Sequence, residues 1–543
     1  MLDNGIGTSQ DFGRTWTRIK SSVGFRRRLI IPLFILLHLC ITLALAYKLN
    51  IWIDEAYTLH TTGRNVRFAF DQALRLELQP PLYFILLSLW RDLNDSIFFT
   101  RLFSVLCSTL TIYVGTVVSR KFIENLHPGW FAAAIALHPF MVWAGTEIRV
   151  YAFVILLSAL LLLLFYDGYL AEMPRSSARW LHGLVAMMAL YTQYYAGYLL
   201  LANAFALLVL KRWPSLRSYL LAMIVVGICF TPMLSVVVDQ VPALTKDVAN
   251  SISFFQGLKV VCWRILRFLF PLNWYRPLAK PILSFGFGLI VATMFFVGTI
   301  CSVVAVMFYS KKLHRSITPN AVAVWTATTV VTFCFIVTVH ITGEKMLAAR
   351  HMAILFLPLI LSALFVIRVT AINKMILIWT LTTVLLSVTS VGVLCMQMAK
   401  SGDWDRVASY IMASEKPGQA ILVFLADSKL PLTHYYKGQN SIVALPTEPQ
   451  METFDVYHRV LSDEQQIIRA LQQVPKEHKQ IWLVTDETFD FLGVDYRSHV
   501  LENFTKKYYS VERSKVFFGA KVRLLHRRPS GYWSTSTSNP SAQ

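Results

Sequence analysis

The chain has 543 residues, 55% of them hydrophobic and only 15% charged, with a mean hydropathy of +0.51. Soluble globular chains run near roughly 45–50% apolar and about 25% charged, so a soluble domain, a disordered chain and a disulfide scaffold are all disfavoured. Lys and Arg outnumber Asp and Glu by 51 to 31, a net charge of +20, which in so apolar a chain points to basic loops on the cytoplasmic side of a bilayer rather than to nucleic acid.

In chain order, residues 1–28 form a polar, basic leader expected in the cytoplasm, ending at Arg26, Arg27 and Arg28. The apolar run Leu29–Tyr47 follows, too long for the core of a signal peptide, and is read as the first span. Further runs cover Leu102–Val118, Trp130–Gly145, Tyr151–Leu170, Leu181–Gln193, Tyr195–Leu210, Tyr219–Val238, Leu283–Phe308, Ala321–Ile341, His351–Ile367 and Met375–Met396. Pro80–Trp90 is apolar but reaches only about half of the roughly 20 residues a spanning helix needs. Placing it in the outer leaflet puts Arg120/Lys121, Arg175/Arg179, Lys211/Arg212/Arg217, Lys311/Lys312/Arg315 and Arg368/Lys374 on the inner side, the positive-inside pattern. The expectation is a multi-span α-helical integral membrane protein of about eleven transmembrane helices plus outer-leaflet helices. Its membrane domain covers 29–398, with a small extracytoplasmic α/β domain over 399–528 and a frayed Ser/Thr-rich tail over 529–543.

The α/β reading rests on buried strands at Ala420–Leu425 and Ile481–Thr485, a helix at Asp463–Gln473 and a strand or hairpin at Val516–His526. No glycine-rich phosphate loop is present, so nucleotide binding has no support. The seven cysteines form no C-x-x-C pair and none lies beyond Lys400, which predicts free thiols.

Chemistry-bearing residues gather on the outer side of this threading. Ile53-Asp54-Glu55-Ala56-Tyr57-Thr58 follows the first span, and its two adjacent acids diverge by about 100° on a helix, so only one can aim at a given site. Glu77-Leu78-Gln79-Pro80-Pro81-Leu82-Tyr83 closes the same loop, with Pro-Pro stiffening the chain that carries Glu77. Arg101, Arg149 in Thr146-Glu147-Ile148-Arg149-Val150-Tyr151-Ala152, and Arg350 beside His351 also fall outside. Outward arginines run against the positive-inside trend. Each alone could snorkel to headgroups, but together with Asp54 and Glu77 they suggest an anion cradle, since the guanidinium fork can bind two phosphate oxygens. The basic and aromatic loop Phe254–Pro277, with Trp263, Phe268, Trp274 and Arg264, reads as an interfacial helix at lipid headgroups.

The ordered set of Asp-Glu after the first span, Glu-x-Gln-Pro-Pro-Leu-Tyr, Arg101-Leu102-x-Ser104 and Glu147-x-Arg149-x-Tyr151-Ala152 resembles the protein O-mannosyltransferase and lipid A aminoarabinose transferase superfamily, GT-C type membrane glycosyltransferases. Gly402-Asp403-Trp404-Asp405-Arg406 is similar to the start of the outer domain in bacterial relatives. The resemblance implies transfer of a sugar from a polyprenyl-phosphate donor to a lipid, glycan or protein hydroxyl on the outer face, with inversion, in a bacterial inner membrane. It carries Asp54, with Glu55 and Glu77, as catalytic, and Arg101, Arg149, Arg350 and His351 as binding the donor phosphate. Gln79, Tyr83, Tyr151, Gln193 and Tyr194 fall to acceptor or sugar binding. Gln79 and Gln193 stand where relatives carry His, and His351 where they carry Tyr, so no metal is claimed. A transporter or flippase of anionic lipid-linked substrates is the competing reading. It would need paired halves and midplane charges, neither of which the chain displays.

Overall fold

The computed structural model describes residues 9–124, 126–245, 251–269, 318–344, 347–370, 385–389, 391–392, 399–452, 459–472, 479–486 and 494–529. The expected spans Leu283–Phe308 and most of Met375–Met396, the tail from residue 530, and Trp274 lie outside these residues. Two compact units result, and Lys48–Leu93 groups with the chain from residue 393 onward rather than with the helices that flank it in sequence.

The first unit is helical. It holds α1 (Ser9–Lys48), α5 (Ile97–Phe122), α6 (Pro128–Ala136), α7 (Pro139–Thr146), α8 (Tyr151–Phe165), α9 (Ser176–Leu190), α10 (Ala196–Val209), α11 (Trp213–Thr245), α12 (Phe254–Leu269), α13 (Pro319–Thr342) and α14 (Ala353–Thr370). The labels α2–α4 belong to the second unit. Six helices among the described residues are long and apolar enough to cross a membrane. α9 and α10 have 15 and 14 residues. At 1.5 Å per residue they span only about 20 Å, short of a hydrocarbon core of about 30 Å.

Helix α8 sits at the centre. Its side chains are apolar all round, and it packs against α5, α9 and α14, so nearly every residue is buried. Helix α11 is the opposite case. Leu221, Ile224, Val225, Ile228 and Val238 are exposed along it, an apolar face suited to lipid. At the end of α8, Lys121 pairs with Asp167 at 2.6 Å and Arg179 donates to the Gly168 carbonyl at 2.8 Å. Basic side chains there meet the negative end of the helix dipole.

One expectation needs correcting. Trp130–Gly145 is not a single span but α6 and α7, of 9 and 8 residues. The cause is His138-Pro139. Proline offers no N–H to continue α6, and it drives His138 into an extended conformation (φ −62°, ψ 127°). The His138 ring then starts the next helix. Nδ1 accepts from the Phe140 N–H at 3.1 Å while Nε2 meets the Phe268 carbonyl of α12 at 2.8 Å. Helix α12 occupies the basic and aromatic loop, burying Val261 and Phe268 while Phe255 and Trp263 are exposed.

The second unit joins α2 (Ile53–Thr61), α3 (Val66–Arg75) and α4 (Leu82–Arg91) to an α/β domain. That domain contains α15 (Trp404–Met412), β1 (Ala420–Phe424), α16 (Lys429–Tyr435), β2 (Ile442–Ala444), α17 (Glu464–Gln472), β3 (Gln480–Asp486), α18 (Ser498–Tyr508), β4 (Tyr509–Phe517) and β5 (Ala520–Arg527). The sheet order is β2-β1-β3-β5-β4, with β1 parallel to β2 and β3 and an antiparallel β4–β5 hairpin at the edge.

Both faces of the sheet are covered, which is why β1 reads as an unbroken apolar run. Alternation along the strands divides the core. Leu422, Phe424, Leu483 and Leu525 pack with Ile467, Leu501 and Phe504 of α17 and α18. Ile421, Val423, Trp482 and Val484 pack with Trp404, Val407 and Ile411 of α15.

Candidate active site

The two acids after the first span lie on α2 and part company there. Glu55 is fully buried, and the Lys400 ammonium meets its Oε1 at 2.7 Å with only 5% of the lysine side chain exposed. Asp54 is half-buried on the other face, with Tyr57 and Thr58 one turn on. The Thr58 hydroxyl lies 3.2 Å from both the Asp54 carbonyl and Glu77 Oε1. Glu77 is thereby drawn to the face of α2 that carries Asp54. Leu78 makes the turn with φ +50°, and the Gln79 N–H donates to the Ala73 carbonyl at 2.9 Å.

Several fastenings hold α2 that no local sequence signal announces. Arg91, at the end of α4, donates to the Leu59 carbonyl and to Thr62 Oγ1, both at 2.6 Å, and closes the C-terminal end of the helix. Ahead of α2, the Lys400 N–H donates to Asn50 Oδ1 at 2.8 Å, Asn50 Nδ2 donates to the Gly402 carbonyl, and the Ile51 N–H donates to the Tyr435 hydroxyl at 2.7 Å. Arg459 pairs with Asp427 at 2.7 Å and donates to the Tyr57 hydroxyl at 3.3 Å. Burial first, then the negative charge of Asp427, raises the Tyr57 hydroxyl well above the ordinary tyrosine range, so it stays protonated. Burial pushes the Asp427 carboxyl up too, and the nearby charge of Asp54 adds to that shift. Tyr83 is wholly buried in α4, its ring edge-on to that of Phe84 at 5.3 Å.

The remaining candidates belong to the helical unit. Arg101 is wholly buried and its Nη1 donates to the Ala46 carbonyl at 3.1 Å, in the last turn of α1 where carbonyls lack helical partners. Glu147 and Arg149 are buried in the turn between α7 and α8, where the Glu147 carbonyl accepts from Ser104 Oγ at 2.6 Å. Tyr151 opens α8 with its ring 5.1 Å from Trp143. Arg350 and His351 form a single 3₁₀ turn ahead of α14. The Ser158 hydroxyl of α8 bonds the Ile354 carbonyl in the first turn of α14 at 3.2 Å. The two arginine-bearing helix starts therefore lie within a few turns of one shared contact, and helix starts favour anions.

The Ala348 N–H donates to His351 Nδ1 at 3.2 Å, which places the ring proton on Nε2. The His351 ring lies 6.4 Å from that of Tyr195. In the turn between α9 and α10, the Tyr194 hydroxyl donates to Gln240 at 2.8 Å, while Gln193 is buried with no partner for its Oε1 among the described residues. The described residues contain no group of three His, Cys, Asp or Glu side chains arranged to hold a metal.

No family model matches the chain, and no curated protein matches it. Among solved structures it is similar to ArnT from Cupriavidus metallidurans in the apo state, at 14% identity and a TM-score of 0.45, over 93% of this chain and 98% of that one. Bound to undecaprenyl phosphate, ArnT is similar at 13% identity and a TM-score of 0.45, over 91% and 97% of the two chains. An oligosaccharyltransferase of Archaeoglobus fulgidus, tethered with an acceptor peptide, is similar at 11% identity and a TM-score of 0.42, over 90% of this chain and 74% of that one.

Proposed function

We propose that the chain is a GT-C type membrane glycosyltransferase that moves a sugar from a polyprenyl-phosphate donor to an acceptor hydroxyl on the outer face of the membrane, with inversion at the sugar carbon. The observation that carries the assignment of roles is the division of labour on α2. Glu55 is spent on a buried pair with Lys400, whereas Asp54 stands half-buried on another face, one turn before Thr58, whose hydroxyl bonds Glu77.

An alcohol is a weak nucleophile at neutral pH, so a base must take its proton as the new bond forms. Asp54 is that base. The acceptor oxygen bonds to the sugar carbon, its proton passes to the Asp54 carboxylate, and the carbon–oxygen bond to the phosphate breaks, leaving its electron pair on polyprenyl phosphate. Arg149 and Arg350 neutralise the charge that grows on that phosphate, and the benefit is larger in the transition state than in the ground state. The His351 Nε2 proton can add a further bond to a phosphate oxygen. Arg101 supports this region through the end of α1. Gln193, Gln79 and Tyr194 serve sugar or acceptor hydroxyls.

The test is transfer from a lipid-linked sugar donor by purified variants. Asp54→Asn should lose on the order of 10² to 10⁴ in rate while expressing normally. Wild-type turnover by Asp54→Asn, with collapse in Glu55→Gln that outruns any loss of stability, would move the base to Glu55. Activity in the double variant would remove both acids from the chemistry.

A further inference from the structure

The sheet of the C-terminal domain changes direction at β1. The parallel neighbours β2 and β3 lie on opposite sides of it, so the connections leaving β1 and β2 run opposite ways. Sheets of this kind leave a crevice beyond the carboxyl ends of the strands at that point, and it is where they commonly take ligands. Here the residues at that place are Asp427 and Ser428, just past β1, and Asp486, the last residue of β3. Ser428 Oγ donates to Asp486 Oδ2 at 3.1 Å. Asp427 is 2% exposed and pairs with Arg459 at 2.7 Å, and Arg459 in turn donates to the hydroxyl of Tyr57 at 3.3 Å. Tyr57 lies three residues after Asp54 on the same helix face.

We propose that this crevice is a clamp whose ligand is the chain's own α2, with Asp427 and Arg459 acting as positioning residues that hold Tyr57 and thereby set the Asp54 carboxylate. The inference deepens the glycosyltransferase reading and rests on it for the role of Asp54. Its geometry stands independently. A tyrosine hydroxyl that accepts from a guanidinium, itself held by a buried carboxylate, is fixed in place through that pair, and a buried pair of this kind loses its balance when one member is removed. Lys400 and Asn50 fix the start of the helix, but the Tyr57 contact acts one turn beyond Asp54, where it sets rotation about the helix axis.

The experiment uses the full-length protein in lipid nanodiscs and two readouts. The first is hydrogen exchange of the amides of residues 53–61, with those of 480–486 as an internal control. The second is transfer from a polyprenyl-phosphate sugar donor, resolved into kcat and donor KM. Tyr57→Phe keeps the ring and removes only the hydroxyl. The double variant Asp427→Asn with Arg459→Gln removes both charges without leaving either one buried alone.

Exchange over 53–61 should rise roughly tenfold in both variants while 480–486 stays unchanged, and kcat should fall roughly tenfold at constant donor KM, since a misplacement of about 1 Å can cost that much or more. Arg459→Lys should restore part of both. Unchanged exchange over 53–61 would overturn the clamp. Faster exchange with unchanged kcat would overturn the positioning role. If the wild type transfers no sugar, or Asp54→Asn transfers it normally, the underlying reading fails and the positioning role with it, while the exchange arm still decides whether α2 is clamped.

Discussion

Replacing Lys400 by Met removes the cation facing Glu55 and leaves its carboxylate in a place with no solvent exposure. Removing one member of a buried pair costs about 3–5 kcal/mol, because the remaining charge loses its partner without regaining water. The second unit holds about 200 residues, for which each kcal/mol moves the midpoint by roughly 2–4 °C, so the loss should be about 6–20 °C. Replacing both residues at once, Lys400→Met with Glu55→Leu, removes both desolvated charges and should recover most of that loss. Asp54→Asn should melt with the wild type, since Asp54 is only half-buried. Thermal unfolding in detergent, followed by tryptophan fluorescence, reads all four proteins; Trp404 and Trp482 lie in the core of this unit. If Lys400→Met melts within about 2 °C of the wild type, less than 1 kcal/mol on this scale, the pair does not hold α2 and the contrast between Glu55 and Asp54 loses its basis.

Three further outcomes are expected. Burial, followed by a hydrogen bond with Asp405, pushes the Asp403 carboxyl up to about 6 from 3.8. Between those values the folded protein holds a proton that the unfolded chain has released, so stability falls as pH rises through the window, and Asp403→Asn should flatten that slope in urea titrations. Gln439 is exposed in the C-terminal domain, and Gln439→Cys in a background without native cysteines should react with an impermeant thiol reagent in intact cells. Labelling only after lysis would reverse the threading. Arg149→Lys keeps the charge but loses the fork, and should lower sugar transfer at least roughly tenfold without changing expression.

The multi-span helical region and the C-terminal α/β domain were both legible in the sequence, because each leaves a one-dimensional signature. Continuous apolar runs marked α8 and α14, and Ala420–Leu425 and Ile481–Thr485 fell on β1 and β3. Pro80-Pro81 marked the start of the short helix α4. Hydropathy averaged over a window hid His138-Pro139, where one missing N–H outweighs a dozen apolar side chains. Helices α2 and α3 were missed because they are short and mixed in character, with caps and tertiary partners deciding them. In the candidate site, the spacing of Asp54 and Glu55 already required different faces. What each face meets was not readable, since Lys400 is 345 residues from Glu55 and Arg459 is 402 from Tyr57. Arg101 resembled an anion ligand by position, yet its guanidinium donates to a helix-end carbonyl, a partner that leaves no trace in composition.

That distance along the chain also sets a schedule. Synthesis runs at about 5–20 residues per second, so the 345 residues between Glu55 and Lys400 take roughly 20–70 s to make. Throughout that interval α2 has none of its fastenings from the C-terminal domain, neither the lysine for its buried acid nor the Asp427–Arg459 pair for Tyr57. The segment that carries Asp54 is among the first parts of the protein to be translated and among the last to reach its final geometry. A ribosome that stalls before residue 400 leaves α2 without any of these partners. A product truncated there keeps the whole sequence of α2 and lacks every one of these bonds.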